Sequence, residues 1–428
     1  MDVSPVARNS QQSCAWWRDD ASVHRLVSDL VRAELAAQRP GTALPFSGLL
    51  PLDCNLINDL DADSLEMMTL AGAMSECTHM HESGIEDYLL VKPTIGDWIE
   101  IARHALEQYS AQLTFRTSGS TGEPKRCSHA LWTLWQEAQA LAMLFPGRQR
   151  VLSAVPAHHI YGFLFTILLP QALAQQQGGA PLPVLDLRGG GAGGLMRQAR
   201  DGDVVIGFPD WWRSMLRSGA HLDADVVGVT STAPCPDDLA QGILDAGMVR
   251  LVEIYGSSET AGIGWRDRHG AAYRLFPHWS RGDDGESLTR LLQDGSALAH
   301  VLRDRIDWRG EREFLPAGRI DEAVQVGGIN VFPERVREVL LRHPQVRDAA
   351  VRLMRPEEGS RLKAFIVPRD AACDTTALAA ALAAWIRTRL PAPALPKAYS
   401  FGESLPVSET GKPRDWPIPP IAPALPLE

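Results

Sequence analysis

The sequence predicts an α/β protein: a mostly parallel sheet core, a helical segment before it and a small α+β domain after it. Three observations carry that expectation. From Leu113 to about residue 318, short β-rich runs alternate with helical ones ("VLSAVP", "PLPVLDL", "DVVIGFP", "VVGVTST", "VRLVEIYG"), the order of parallel strands joined by right-handed crossovers. These runs are nearly continuous in apolar residues, as strands buried on both faces are. The flanks differ in texture, helix-periodic and acidic on one side, turn-rich on the other, which sets the expected boundaries at 1–108, 109–318 and 319–428.

In the first segment, residues 22–37 place Val23, Leu26, Val27, Leu30, Val31 and Leu35 on one face at helical spacing. A loop rich in Pro, Leu and Asp leads to "INDLDADSLEMM", where Asp63 and Glu66 have the spacing of a capping box for a helix starting near Ser64. Shorter helical stretches near 83–89 and 94–106 complete a four-helix unit. Beyond residue 318 come a turn-rich "VQVGGINVFP", a helix "ERVREVLLRH", strands "DAAVRLM" and "LKAFIVP", a further helix and a proline-rich tail. No internal repeat is visible.

Composition narrows the function. The longest apolar run, "IYGFLFTILLPQALA", is too short and interrupted for a membrane span, and the N-terminus lacks an export signal, so the expected location is cytoplasmic. Six cysteines lie far apart without CxxC pairing, which points to free thiols rather than disulfides or zinc. The net charge of −10 is local: residues 46–100 hold eleven acids against one base, Lys92, and the remainder is balanced. That argues against nucleic acid as a partner.

Chemistry concentrates in a few segments. Residues 114–125, "TFRTSGSTGEPK", pack hydroxyls and glycines before a lysine, so that backbone N–H groups, Ser118, Ser120, Thr121 and Lys125 suit a polyphosphate. The GK[ST] ending of the Walker loop is absent. "VPAHHIYGF" (155–163), "STAPCPDD" (231–238) and "IYGSSET" (254–260) each end a predicted strand, where open parallel sheets bind ligands. Glu259 is a candidate for Mg²⁺, which takes one or two carboxylates alongside phosphate. Taken singly, His159 is as well read as a core histidine and Glu259 as a helix-start acid.

Together these residues resemble the adenylate-forming superfamily of acyl- and aryl-CoA synthetases, peptide-synthetase adenylation domains and luciferases. The likeness continues through "GRIDEAVQVGGINVFPERVREVL" (318–340), similar to the family's hinge and lid opening, and "LPVSETGKPRDW" (405–416), similar to its terminal catalytic-lysine motif. It covers residues 114–416. The resemblance implies ATP and Mg²⁺, with Thr117, Ser118, Gly119, Ser120, Thr121, Gly122 and Lys125 on the phosphates and Glu259 on the metal. Thr232, Ala233, Pro234, Tyr255, Gly256, Ser257 and Ser258 would flank adenine, and Asp304 and Arg319 would hold the ribose. Lys412 would bridge carboxylate and α-phosphate, the lid would pivot at Asp321, and Gly327 and Gly328 would face the incoming pantetheine thiol. His159 would lie near the ring or hydroxyl of the acid.

Departures are Arg126 for a common glycine, Ser258 for a common threonine, "LRD" for Thr-Gly-Asp at Asp304, and a shortened region before the glycine-rich loop. What fills that region resembles an acyl carrier protein over residues 20–106, with Ser64 where carriers attach phosphopantetheine and Asp61 where they have glycine. Ser64 is then either such an attachment point or only the start of a helix.

The implied reaction is adenylation of a carboxylic acid and transfer to a phosphopantetheine thiol, of an acyl carrier protein rather than of free CoA. Short members of the family in aryl-polyene and xanthomonadin-type pigment pathways activate hydroxybenzoate-like acids such as 3-hydroxybenzoate, so an aromatic acid is expected. Three alternatives stand: a free-CoA ligase for aryl or fatty acids, a non-catalytic scaffold, and an NAD(P)-binding oxidoreductase using "GGGAGG" (189–194) with Asp210.

Overall fold

The structure is a computed structural model that describes residues 15–39, 42, 44–117, 125–285, 287–292, 295–319, 323–355, 357–370, 372–406 and 414–418. The chain divides into two compact units that meet in sequence at residues 317 and 318.

Four helices open the first unit: α1 (Asp20–Gln38), α2 (Ser64–Thr78), the single turn α3 (Tyr88–Val91) and α4 (Ile95–Gln108). Asp19 caps α1 by accepting from Ser22 N. The predicted capping box starts α2: Asp63 accepts from Leu65 N and Glu66 N, and Glu66 accepts from Asp63 N. Arg39 then ties Glu66 to the Leu60 and Asp61 carbonyls, fixing the loop ahead of the helix. The apolar face of α1 packs on α2 and α4, and the same continuous core takes in side chains from Leu113 to Phe314. These helices are therefore built into the first unit.

A hairpin, β1 (Gln112–Thr117) and β2 (Lys125–Ala130), brackets the glycine-rich segment, whose residues 118–124 lie outside the described ones. The main sheet has nine strands. β3 (Arg150–Ser153), β4 (Val184–Asp186), β5 (Asp203–Gly207), β6 (Val226–Thr230) and β7 (Arg250–Ser257) are its parallel half. β8 (Ala261–Arg266) and β9 (Tyr273–Leu275) continue it antiparallel. After the three-stranded sheet of β10 (Trp279–Arg281), β11 (Ser287–Leu291) and β12 (Ala297–Val301), β13 (Asp304–Trp308) and β14 (Glu313–Arg319) complete the order β13-β14-β9-β8-β7-β6-β5-β3-β4. Every residue of β5 and β6 is buried, the physical reason these runs read as unbroken apolar stretches.

Helices cover the sheet: α5 (Leu131–Ala142), α6 (Ile160–Phe163) running through a π-helical stretch at Leu164–Leu168 into α7 (Leu169–Gln177), α8 (Gly191–Gln198), α9 (Pro209–Arg217) and α10 (Asp237–Asp245). No helix among the described residues is long and apolar enough to cross a membrane.

The second unit has a hairpin, β15 (Val324–Val326) and β16 (Ile329–Val331). It also has a sheet of β17 (Val346–Leu353), β18 (Leu362–Pro368) and β19 (Ala398–Phe401), with α11 (Pro333–Leu341) and α12 (Thr375–Arg387) beside it. Buried Lys363 of β18 donates to Glu358 (2.6 Å) and to the Trp416 carbonyl (2.6 Å), and pairs with Asp415 (3.0 Å). It anchors the segment that follows Lys412, a residue outside the described ones.

Candidate active site

Because β3, β5, β6 and β7 run parallel in adjacent register, their carboxyl ends lie along one edge of the sheet. That edge is where open α/β sheets take ligands. The predicted segments leave the strands there: 155–159 after β3, 231–234 after β6, and 255–259 at the end of β7.

The turn between β7 and β8 is tight. A Cβ on Gly256 would run into the Ala261 carbonyl, and Ala261 itself has φ 60°. Ser257 Oγ accepts from Thr260 N at 3.2 Å, and His129 of β2 donates from Nε2 to the Ser258 carbonyl at 2.7 Å. Glu137 on α5 supports the other limb, accepting from Gly262 N at 2.8 Å. Glu259 is thereby held in the turn, where its carboxylate pairs with Lys125 and with Arg303 Nε at 3.2 Å. Burial raises the Glu259 pKa, but the hydrogen bond and charge of Lys125, with Arg303, outweigh it and hold the group below the usual carboxylate range.

Tyr255 packs against Tyr273 and Phe314, with ring centroids 5.5 and 5.4 Å away, and its hydroxyl donates to the carboxylate of Asp304, the first residue of β13. Two residues expected on opposite halves of a nucleoside are thus joined directly. Thr232 has φ 75°, a left-handed conformation that costs a β-branched residue on the order of 1–3 kcal/mol. Ser231 Oγ fastens that segment to β7 by donating to the Ile254 carbonyl at 2.8 Å. Such strain, in the segment expected to face adenine, is of the kind that collects at ligand-binding loops.

After β3 the chain doubles back so closely that a Cβ on Gly162 would run into the Pro156 carbonyl. The His158 and His159 rings lie 4.0 Å apart, His159 open to solvent at the start of α6. Burial disfavours the charged form of His158, with the neighbouring His159 and Arg188 acting in the same direction, so its imidazole is held well below the ordinary histidine range and is neutral near pH 7. Tyr161 OH donates to the Gly207 carbonyl at 3.0 Å, linking α6 to the end of β5.

Of the other expected residues, Thr117 ends β1 and Arg319 ends β14. Gly327 and Gly328 form the β15–β16 turn with φ 59° and 79°, as a two-residue hairpin turn requires. Residues 118–122, Asp321 and Lys412 lie outside the described residues. The structure adds Arg303, His129 and Glu137. Arg303 had a signal in its neighbour Asp304; the other two had none until the turn they support was known.

A profile of AMP-binding enzymes matches residues 110–280, and one of the AMP-binding enzyme C-terminal domain matches residues 336–412. Over 416 residues, 93% of this chain and 97% of its relative, the sequence is 41% identical to a 4-coumarate–CoA ligase of Cereibacter sphaeroides. The chain belongs to the AMP-binding enzyme family. A 4-coumarate–CoA ligase of Halorhodospira halophila is 38% identical over 91% of this chain and 97% of its own length. Matches of this extent take in most of the N-terminal helices together with the rest of the AMP-binding enzyme. Two solved structures share its fold. An amide bond synthetase from Marinactinospora thermotolerans has TM-score 0.57 and 19% identity, over 91% of this chain and 92% of that one. A double mutant of o-succinylbenzoate CoA synthetase from Bacillus subtilis has TM-score 0.57 and 17% identity, over 92% and 91%. This AMP-binding enzyme is an acid–thiol ligase that works through an acyl-adenylate.

Proposed function

We propose that the protein activates an aromatic acid of the 4-coumarate type with ATP, releases pyrophosphate and passes the acyl group to CoA. One observation carries this reading: the near full-length likeness to enzymes named 4-coumarate–CoA ligase. It displaces the expectation of a carrier-protein acceptor and of a hydroxybenzoate from a pigment pathway, and favours the free-CoA alternative.

The residues divide the work as follows. Lys125 and the loop at 117–122 hold the phosphates of ATP. Glu259 fits Mg²⁺: it is a carboxylate at the sheet edge, held below the usual carboxylate range, and Mg²⁺ takes one or two carboxylates alongside phosphate oxygens and water. When bound, Mg²⁺ supplies neutralisation of phosphate charge. Tyr255 and residues 232–234 flank adenine; Asp304 and Arg319 take the ribose. Lys412 offsets charge as the carboxylate meets the α-phosphorus, Asp321 is the pivot for the second step, and Gly327 and Gly328 face the thiol. His159 offers an aromatic acid a polar ring as neighbour.

Pyrophosphate release across cinnamates, benzoates and fatty acids, with CoA or a phosphopantetheinylated carrier as acceptor, tests this. Fastest turnover with 4-coumarate and CoA is expected. Preference for a fatty acid, or faster loading of a carrier, overturns it.

A second reading keeps Ser64 as a phosphopantetheine site. Ser64 is exposed at the start of α2, and Asp61, at the place where carriers have glycine, adopts φ 51°, a left-handed conformation that glycine takes without strain. Intact mass after co-expression with a broad transferase decides it, an added arm lost in Ser64→Ala supporting the reading and an unchanged mass refuting it.

A further inference from the structure

Helix α1 carries charge on its buried face. Arg25 and Asp29, four residues apart, are 8% and 1% exposed. Arg25 donates to the Thr166 carbonyl in the π-helical stretch (3.1 Å) and to the Val184 carbonyl in β4 (3.4 Å). Asp29 Oδ2 accepts from Ala157 N at 2.7 Å, and its Oδ1 lies 2.7 Å from Arg188 Nη1. Arg188 also grips Asp186 through Nε and Nη2, so its guanidinium is fixed between two carboxylates.

A buried ion pair of this kind adds little net stability, and an apolar side chain of similar size would serve the core as well. Its distinguishing product is position. Ala157 is the residue before His158, in the loop that runs from β3 to His159, and Asp29 is the group that binds its amide. The loop has no slack on its other side, where Gly162 closes against Pro156.

We propose that Asp29, oriented by Arg188, is a positioning residue for the acid site: by holding the Ala157 amide it sets the place of the His158–His159 pair. The N-terminal helices thereby shape the pocket for the acid, supplying from outside the sheet what a local turn supplies elsewhere along the same edge. The proposal rests on the reading that residues 155–159 line the acid's site.

The test uses the full chain, with 4-coumarate as probe acid and pyrophosphate release as the rate. Asp29→Ala should raise KM for the acid at least about tenfold and leave KM for ATP within about twofold, since only the acid's loop is displaced. Asp29→Asn, which keeps an oxygen for the Ala157 amide, should recover much of the loss. Arg188→Met should show the same split, and the double variant should fall well short of the product of the singles. Equal changes in both KM values, no change in either, or independent effects in the double variant overturn the proposal. So does failure of all three single variants to retain ATP-dependent thermal stabilisation, which would make the pair purely structural. His159→Ala separates the underlying reading: if it leaves the acid's KM unchanged while Asp29→Ala raises it, the loop does not line the site and the proposal falls with that reading.

Discussion

Lys125 and Glu259 are ion-paired although 134 residues apart in sequence, the first residue of β2 meeting the turn after β7. In the proposed function each would meet charge that arrives with ATP, the lysine phosphate and the glutamate the metal. Glu259→Gln leaves Lys125 and Arg303 without their shared carboxylate. It should cut adenylation on the order of 10²-fold and raise the Mg²⁺ needed for half-maximal rate. A rate series over Mg²⁺ checks this; an unaltered metal dependence would remove Glu259 from the metal's coordination.

The two half-reactions should separate by residue. Lys412→Ala should abolish adenylate formation and spare thioester formation from a preformed acyl-adenylate. Asp321→Pro should do the reverse, since proline fixes φ and restricts its neighbour. Equal loss of both steps in either variant would refute the division.

Gly162 has no room for a side chain beside Pro156. Gly162→Ala should therefore displace the histidine loop and cost about 1–3 kcal/mol of stability, as overpacking does. Denaturant unfolding measures it, and a midpoint equal to that of the parent would show that the loop can yield.

Glu137 gives a pH test. Complete burial pushes its carboxyl from the ordinary 4.5 up to about 8, with Arg290 and the Gly262 amide acting in the other direction. Between those values the folded protein holds a proton that the unfolded chain releases, so stability falls as pH rises through this window, by up to about 1.4 kcal/mol per unit. Glu137→Gln keeps an acceptor for Gly262 and removes that slope, so its advantage over the parent should grow from pH 5 to 8. A difference constant with pH would sink the assignment.

The parallel strands were legible in the sequence because burial on both faces leaves no polar alternation to obscure them. The Asp63 to Glu66 box was legible because its chemistry is local. The site segments could be ordered because each follows a strand. The antiparallel strands of the first unit were not read, since some, such as β9 of the main sheet and β10 of the three-stranded one, span only three residues. The packing of α1 was also hidden: an apolar face states that a helix is covered, never by what. Its one clue was the charged pair Arg25 and Asp29 within the covered face, which calls for partners distant in the chain. The π-helical stretch had no signal in residue type.

Those partners arrive late during synthesis. Ala157 follows Asp29 by 128 residues, and Thr166 and Val184 follow Arg25 by 141 and 159. Until β4 and the residues just after it have left the ribosome, the nascent α1 carries two charges, Arg25 and Asp29, without their counterparts. The first unit is therefore expected to condense late and at once rather than helix by helix, with its opening stretch dependent on holding chaperones meanwhile. Residues 1–108 expressed alone should aggregate, whereas the second unit, whose core closes within about 100 residues, suffers no such delay.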